Sequence, residues 1–175
     1  GSQPFEFPAT CPVCSGPISK PEGEAVARCE NDWCRAKLKE KVRHFASRQA
    51  MDIENLGPAI VNRLVDLEMI SDMADIFYLE SRREELMQLE GMGEKSVGNL
   101  LAAIEERKTP ESADRLIFAL GIRRVGQRSA QILAEQFDSL DALTAATPEQ
   151  LMDIPEIGPA AAGEITDFFA QEHTR

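Results

Sequence analysis

"LEGMGEKSVGNLLAAI", residues 89–104, places two glycines one residue apart and follows them at once with helix-forming sequence. Val97 and Leu100 stand four and seven residues after Gly93, on one face of a helix, so the spacing predicts a bare turn opening directly into an amphipathic helix. The frame recurs. Written as apolar, any, slot, apolar, Gly, three residues, small or apolar, two residues, aliphatic, it fits four times. Its copies begin at Ile53, Leu89, Ile122 and Ile154 and close on Gly57, Gly93, Gly126 and Gly158, 36, 33 and 32 residues apart. Each copy ends one helix and starts another, which is a helix-hairpin-helix. Pro58 and Pro159 directly follow a closing glycine, at the first helical position, where a missing N–H is harmless.

Glycines in such a turn permit positive φ and remove side chains, so backbone N–H groups at a helix start lie open to an anion. A phosphate oxygen fits that description. Because peptide groups do the binding, base sequence goes unread and no large positive charge is needed. The second copy has both glycines, Gly91 and Gly93, and adds Lys95 two residues on. In the third, Arg124 fills the slot, with Arg123 and Arg128 beside it. Asn55 and Glu156 fill the slots of the first and fourth, and there a purely structural turn, packing neighbouring hairpins, stands as an equal alternative. Asn tolerates a left-handed backbone, whereas Glu brings a charge that repels phosphate.

Charge bounds the partners. The chain has 175 residues and a net charge of −11, which argues against a strong nonspecific grip by a cationic surface. "RAKLKEKVRHFASR", residues 35–48, holds six Lys or Arg against Glu40, a local +5 that leaves −16 elsewhere and offers an anion one narrow strip. With 43% hydrophobic and 6% aromatic residues, the composition fits a compact, mostly helical build of one or two small domains. No apolar run nears the roughly 18 residues of a membrane span. "GSQPFEFP" lacks the pattern of a signal peptide, so the expected location is cytoplasmic. Gly1 and Ser2, without an initiator Met, read as a tag remnant on a piece of something longer.

All four cysteines fall within 24 residues, as C-x2-C-x14-C-x4-C: Cys11, Cys14, Cys29 and Cys34. Two close pairs let four thiolates converge tetrahedrally on one Zn²⁺, and four sulfurs leave no position for water, so the ion is structural. "SGP" after Cys14 and "NDW" before Cys34 suit the two knuckle turns. Two disulfides are the competing reading, disfavoured in a reduced compartment.

Other features read as plain structure. "KPEG", residues 20–23, is similar to a nucleotide-attaching lysine motif but has Glu for Asp, and a surface turn is the better reading. His44 belongs to the basic helix after Cys34, where it is placed to touch a phosphate. Thr109 and Thr147 are N-cap candidates at the ends of linkers. "DIFYL", residues 75–79, reads as core and "SRREEL" as a solvated face.

The four-cysteine cluster, "EGEAVARC" before Cys29, "RHFASRQAMDIENLG" and "ALGIRRVG" at the third hairpin together resemble the carboxyl-side region of bacterial NAD⁺-dependent DNA ligases. The expected organisation is a lead-in over residues 1–10, a zinc finger over 11–34, a basic connecting helix over 35–50 and four hairpins over 51–175. The resemblance implies a parent enzyme that adenylates a lysine with NAD⁺, passes AMP to the 5′ phosphate of a nick and seals it with Mg²⁺. It implies that this piece has no catalytic residue, works as a monomer with the remaining ligase domains, and holds nicked double-stranded DNA, with no membrane role. Expected DNA contacts are Gly57, Gly91, Gly93, Lys95, Arg123, Arg124, Gly126, Arg128 and Gly158. A hairpin-based nuclease or glycosylase and an acidic protein-interaction scaffold are the alternatives.

Overall fold

The computed structural model describes residues 8–20 and 26–171; the KPEG turn therefore lies largely outside the described residues. The head begins with two short antiparallel strands, β1 (Ile18–Ser19) and β2 (Arg28–Cys29), paired Ile18 to Cys29 and Ser19 to Arg28. Cys34, the last ligand candidate, is also the N-cap of α1 (Arg35–Ala46), so head and helix share a residue.

Everything after the head is helical, in two lobes with separate cores. The first lobe packs α1, α2 (Pro58–Asp66), a 3₁₀ segment (Met73–Arg82), α3 (Arg83–Met87) and α4 (Glu94–Glu106) around Val42, Val61, Leu64, Ile76, Leu79 and Leu100. The second packs α5 (Ala113–Ala119), α6 (Gln127–Gln136), α7 (Leu140–Thr144), α8 (Pro148–Met152) and α9 (Pro159–Ala170) around Ala130, Leu133, Leu143, Leu151 and Ile165. The two frame positions that follow each closing glycine are buried in all four copies, and each large side chain withdrawn from water contributes about 2 kcal/mol relative to exposure. That burial selects the helix periodicity. Among the described residues no helix is long and apolar enough to cross a membrane.

Phe118 packs against both cores, and polar ties complete the joint. Arg115 on α5 donates to the carbonyls of Arg48 and Ala50, each at 2.7 Å. His44 bonds the Phe118 carbonyl oxygen through Nε2 at 2.7 Å, and its ring meets the Phe118 ring edge-on at 4.7 Å. The expectation that His44 touches phosphate is thereby corrected: its ring is engaged in joining α1 to α5.

Two capping expectations divide. Thr147 caps α8 in a full capping box with Gln150, whereas Thr109 caps nothing, because α5 starts later, after Ser112. The DIFYL run is core through Ile76 and Leu79, with Phe77 against Phe45, but Tyr78 points out at 70% exposure. The first hairpin also differs from the other three. Its leading helix α1 ends at Ala46, and the chain folds back over that end, Ile53 N–H bonding Ala46 oxygen at 3.0 Å, before the frame begins.

Candidate zinc centre and nucleic-acid interface

In the head, Ser15 takes a left-handed φ of 58° and its N–H bonds the Cys11 oxygen at 2.8 Å, closing the first knuckle. Gly16 keeps this turn tight, since a Cβ would stand 3.0 Å from the Asn31 Cβ and 3.3 Å from the Cys14 sulfur. The second knuckle is an Asn31 turn: its side chain accepts from Trp33 N–H at 3.0 Å and its carbonyl from Cys34 N–H at 3.2 Å. These turns bring all four sulfurs within 4.8 Å of one another. The nearest pairs are Cys14 with Cys29 at 3.4 Å and Cys11 with Cys34 at 3.9 Å. Sulfurs about 2.3 Å from a tetrahedral zinc stand about 3.8 Å apart, so the cage fits that ion. No pair is at disulfide distance, about 2.05 Å.

The backbone N–H of Gly16 holds the Cys14 thiol down at about 6, while desolvation, with Cys14 and Cys11 close by, pushes Cys29 up to about 12. A divalent ion supplies the charge that lets all four ionise together, and its role is structural.

The four hairpin turns have one geometry. In each, the second apolar residue donates its N–H to the first apolar residue's carbonyl, three residues back, at 2.9–3.4 Å. The slot residue between them is left-handed every time: Asn55 at φ 66°, Gly91 at 77°, Arg124 at 63° and Glu156 at 69°. An L-residue there costs about 1 kcal/mol, so three of the four turns keep the conformation without the glycine that favours it. The closing glycines behave otherwise than the frame alone implies. Gly57, Gly93, Gly126 and Gly158 are extended, with φ between −75° and −90°, and serve as N-caps of α2, α4, α6 and α9. An added Cβ at any of them would meet nothing within 4 Å.

Those four helix starts are unclothed. None has a side-chain cap, a lack shared with α1, α3 and α5, whereas Ser139, Thr147 and Asp72 cap α7, α8 and the 3₁₀ segment. Backbone N–H groups of slot residues and closing glycines donate to no described residue, and all eight residues are exposed. With the unbonded N–H groups of each first turn, fewer at α2 and α9, where Pro58 and Pro159 have none, they form four sets of donors at the positive end of a helix dipole.

Side chains around the turns are placed unequally. Lys95 and Arg124 are exposed and make no ion pair with a described residue. Arg123 pairs with Glu164 at 3.3 Å, and Arg128 with Glu156 of the fourth turn at 3.2 Å. The latter pair brings the third and fourth hairpins together, and it gives Glu156 a counter-charge. Arg63 on α2 similarly reaches the Glu90 carbonyl, joining the first and second hairpins. Arg43 of α1 and Arg48 just beyond its end line a cleft beside Asn55 and Gly57, bringing cations to the first hairpin. The frame conceals these partners because they lie outside its period.

Four of the six cations in residues 35–48 meet a carboxylate. Arg35 pairs with Glu68, Lys37 with Asp32 at 2.9 Å, Lys39 with Asp66 at 2.6 Å and Arg43 with Glu40. These are surface pairs, and Lys41 and Arg48 are exposed and make no ion pair with a described residue, so the strip is partly paired rather than closed.

Residues 10–36 match the family described as NAD-dependent DNA ligase C4 zinc finger domain. Residues 47–106 match the SAM-like helix-hairpin-helix tandem and residues 115–175 the helix-hairpin-helix motif. Among similar proteins are the DNA ligases of Acetivibrio thermocellus, 48% identical over 98% of this chain, and Pelotomaculum thermopropionicum, 51% identical over 98%. The DNA ligase of Acinetobacter baylyi is 49% identical over 96%.

The chain belongs with the bacterial DNA ligases, as their zinc-finger and helix-hairpin-helix region.

It spans about a quarter of the length of these ligases, 26%, 25% and 25% respectively. The family models matched within that share are those of a zinc finger and of helix-hairpin-helix motifs. In this ligase region the zinc-finger match ends at residue 36, two residues past Cys34, and the tandem match begins at residue 47, directly after α1.

Proposed function

We propose that this ligase region grips nicked double-stranded DNA by its phosphates, without reading sequence, and so helps the whole enzyme close around the break during replication and repair. The observation that carries the proposal is the set of four closing glycines. Their backbone angles suit any residue and the space beside them is empty, so nothing inside the molecule calls for glycine there. An external backbone approaching to hydrogen-bond distance does, because a side chain would stand in its way.

In this reading Gly57, Gly91, Gly93, Gly126 and Gly158 belong to the main-chain cradles. Lys95, Arg123, Arg124 and Arg128 supply charge at the second and third hairpins. Surface pairs such as Arg128 with Glu156 are worth at most about 1 kcal/mol, so a phosphate can take the arginine over. The zinc head fixes the start of α1 and hence the orientation of the first lobe. Joining the nick, with NAD⁺ as adenylate donor and Mg²⁺ at the reacting phosphate, belongs to the complete cytoplasmic enzyme, in which this piece works as a monomer beside the other domains.

Gel-shift titration on nicked duplex at two salt concentrations tests the proposal. Lys95→Glu and Arg124→Glu are each expected to weaken binding about tenfold and to lower the salt slope by about one. Affinity unchanged in both variants would place the DNA face elsewhere.

A further inference from the structure

The turn of the second hairpin is held from another helix. Arg63, on α2 of the first hairpin, donates from Nη1 to the carbonyl oxygen of Glu90, the residue before left-handed Gly91. Met92 N–H closes the turn onto the Leu89 oxygen at 2.9 Å, and the φ of 77° at the third residue makes it type II rather than type I. Between those two types the angles flanking the central peptide change sign, so that peptide turns over. Glycine at the third position accepts either arrangement, and sterics do not choose between them.

The other hairpins take the same orientation with a non-glycine slot residue, so the shared frame selects it, and the Arg63 bond holds it at the one slot where glycine would let the peptide turn over. In a trans peptide the C=O and N–H point in opposite directions, so fixing the Glu90 oxygen toward α2 fixes the Gly91 N–H on the far side. That N–H is exposed and donates to no described residue. Among the described residues, the corresponding carbonyls of Glu54 and Pro155 receive no such bond.

We propose that Arg63 is a positioning residue: it locks the Glu90–Gly91 peptide in the orientation that presents the Gly91 N–H to a phosphate. This rests on the duplex-gripping reading above and adds the device that keeps the second cradle set before DNA arrives.

The test compares the ¹⁵N-labelled, zinc-loaded chain with its Arg63→Gln and Arg63→Lys variants, first without DNA and then with nicked duplex. In the free Arg63→Gln chain the Gly91 and Met92 amide signals should shift or split. The Gly126 signals and the thermal midpoint should stay in place, and duplex affinity should fall about threefold to tenfold. Arg63→Lys keeps a donor at nearly the arginine's reach, which the shorter Gln amide does not, and should restore the Gly91 signal. Gly91 and Met92 amides unmoved by Arg63→Gln would overturn the proposal, and so would a moved peptide with undiminished affinity. A parent chain that fails to bind duplex would defeat the gripping reading instead, while the free-chain spectra would still decide whether Arg63 sets the peptide.

Discussion

Gly93→Asp combined with Gly126→Asp is expected to leave the chain as stable as before, or slightly more so, and to lower its affinity for nicked duplex at least about a hundredfold. The two halves have separate causes. Both residues are helix N-caps with extended backbones and open space at the Cβ position, so Asp fits without strain. Asp is also a better N-cap than Gly by a few tenths of a kcal/mol, and its charge suits the helix dipole. With DNA present the same carboxylates occupy the space meant for phosphate and repel it. Losing two charge-assisted contacts of about 1.5–3 kcal/mol each gives the hundredfold or more. Thermal melts and gel shifts on the same preparations check it. A variant that unfolds would mean these glycines serve packing, and a stable variant with full affinity would mean that they do not meet DNA.

Removing the zinc should be the larger structural event, and a confined one. Structural zinc sites bind with about 10–16 kcal/mol of apparent free energy, coupled to folding of the ligands around the ion. The described head offers little else, a two-residue strand pair and two knuckles. Strong chelation, or Cys11→Ser with Cys14→Ser, should therefore collapse the dispersion of head amides and release one zinc per chain, read with a chromogenic chelator. Both helical lobes should stay folded. Their cores begin at Val42, and α1 remains tied down by Phe45 and by the Arg35–Glu68 and Lys39–Asp66 pairs. An undisturbed head after metal loss, or melting of the whole chain with it, would contradict this division.

The hairpins were legible because a turn that exposes a helix start leaves a periodic trace, with glycine at the N-cap and aliphatics four and seven residues on. Two things blurred the trace. A left-handed slot looks from sequence like a requirement for glycine, yet Asn55, Arg124 and Glu156 adopt it, because the cost of about 1 kcal/mol is small beside the buried residues on either side. The closing glycine, conversely, looks like the residue needing unusual φ, and it is extended. The zinc cage was fully readable, since ligand spacing alone determines convergence. What sequence concealed were partners distant along the chain. Lys37 and Lys39 look available until Asp32 and Asp66 fold against them, and His44 looks like a phosphate ligand until α5 packs over it. Thr109 failed as a cap because the next buried face starts three residues later than its linker composition implied. Arg63 has no local signature at all, since its partner is a backbone oxygen 27 residues away.

The most direct measurement is a titration of the ¹⁵N-labelled chain with nicked duplex, following backbone amides at the hairpin turns. If exposed main-chain donors make the grip, the signals of Gly93 and Gly126 and of the first residues of α4 and α6 should move progressively to saturation, at salt where binding persists. If those amides stay fixed while lysine and arginine side-chain signals move, the grip comes from surface cations and the account is wrong.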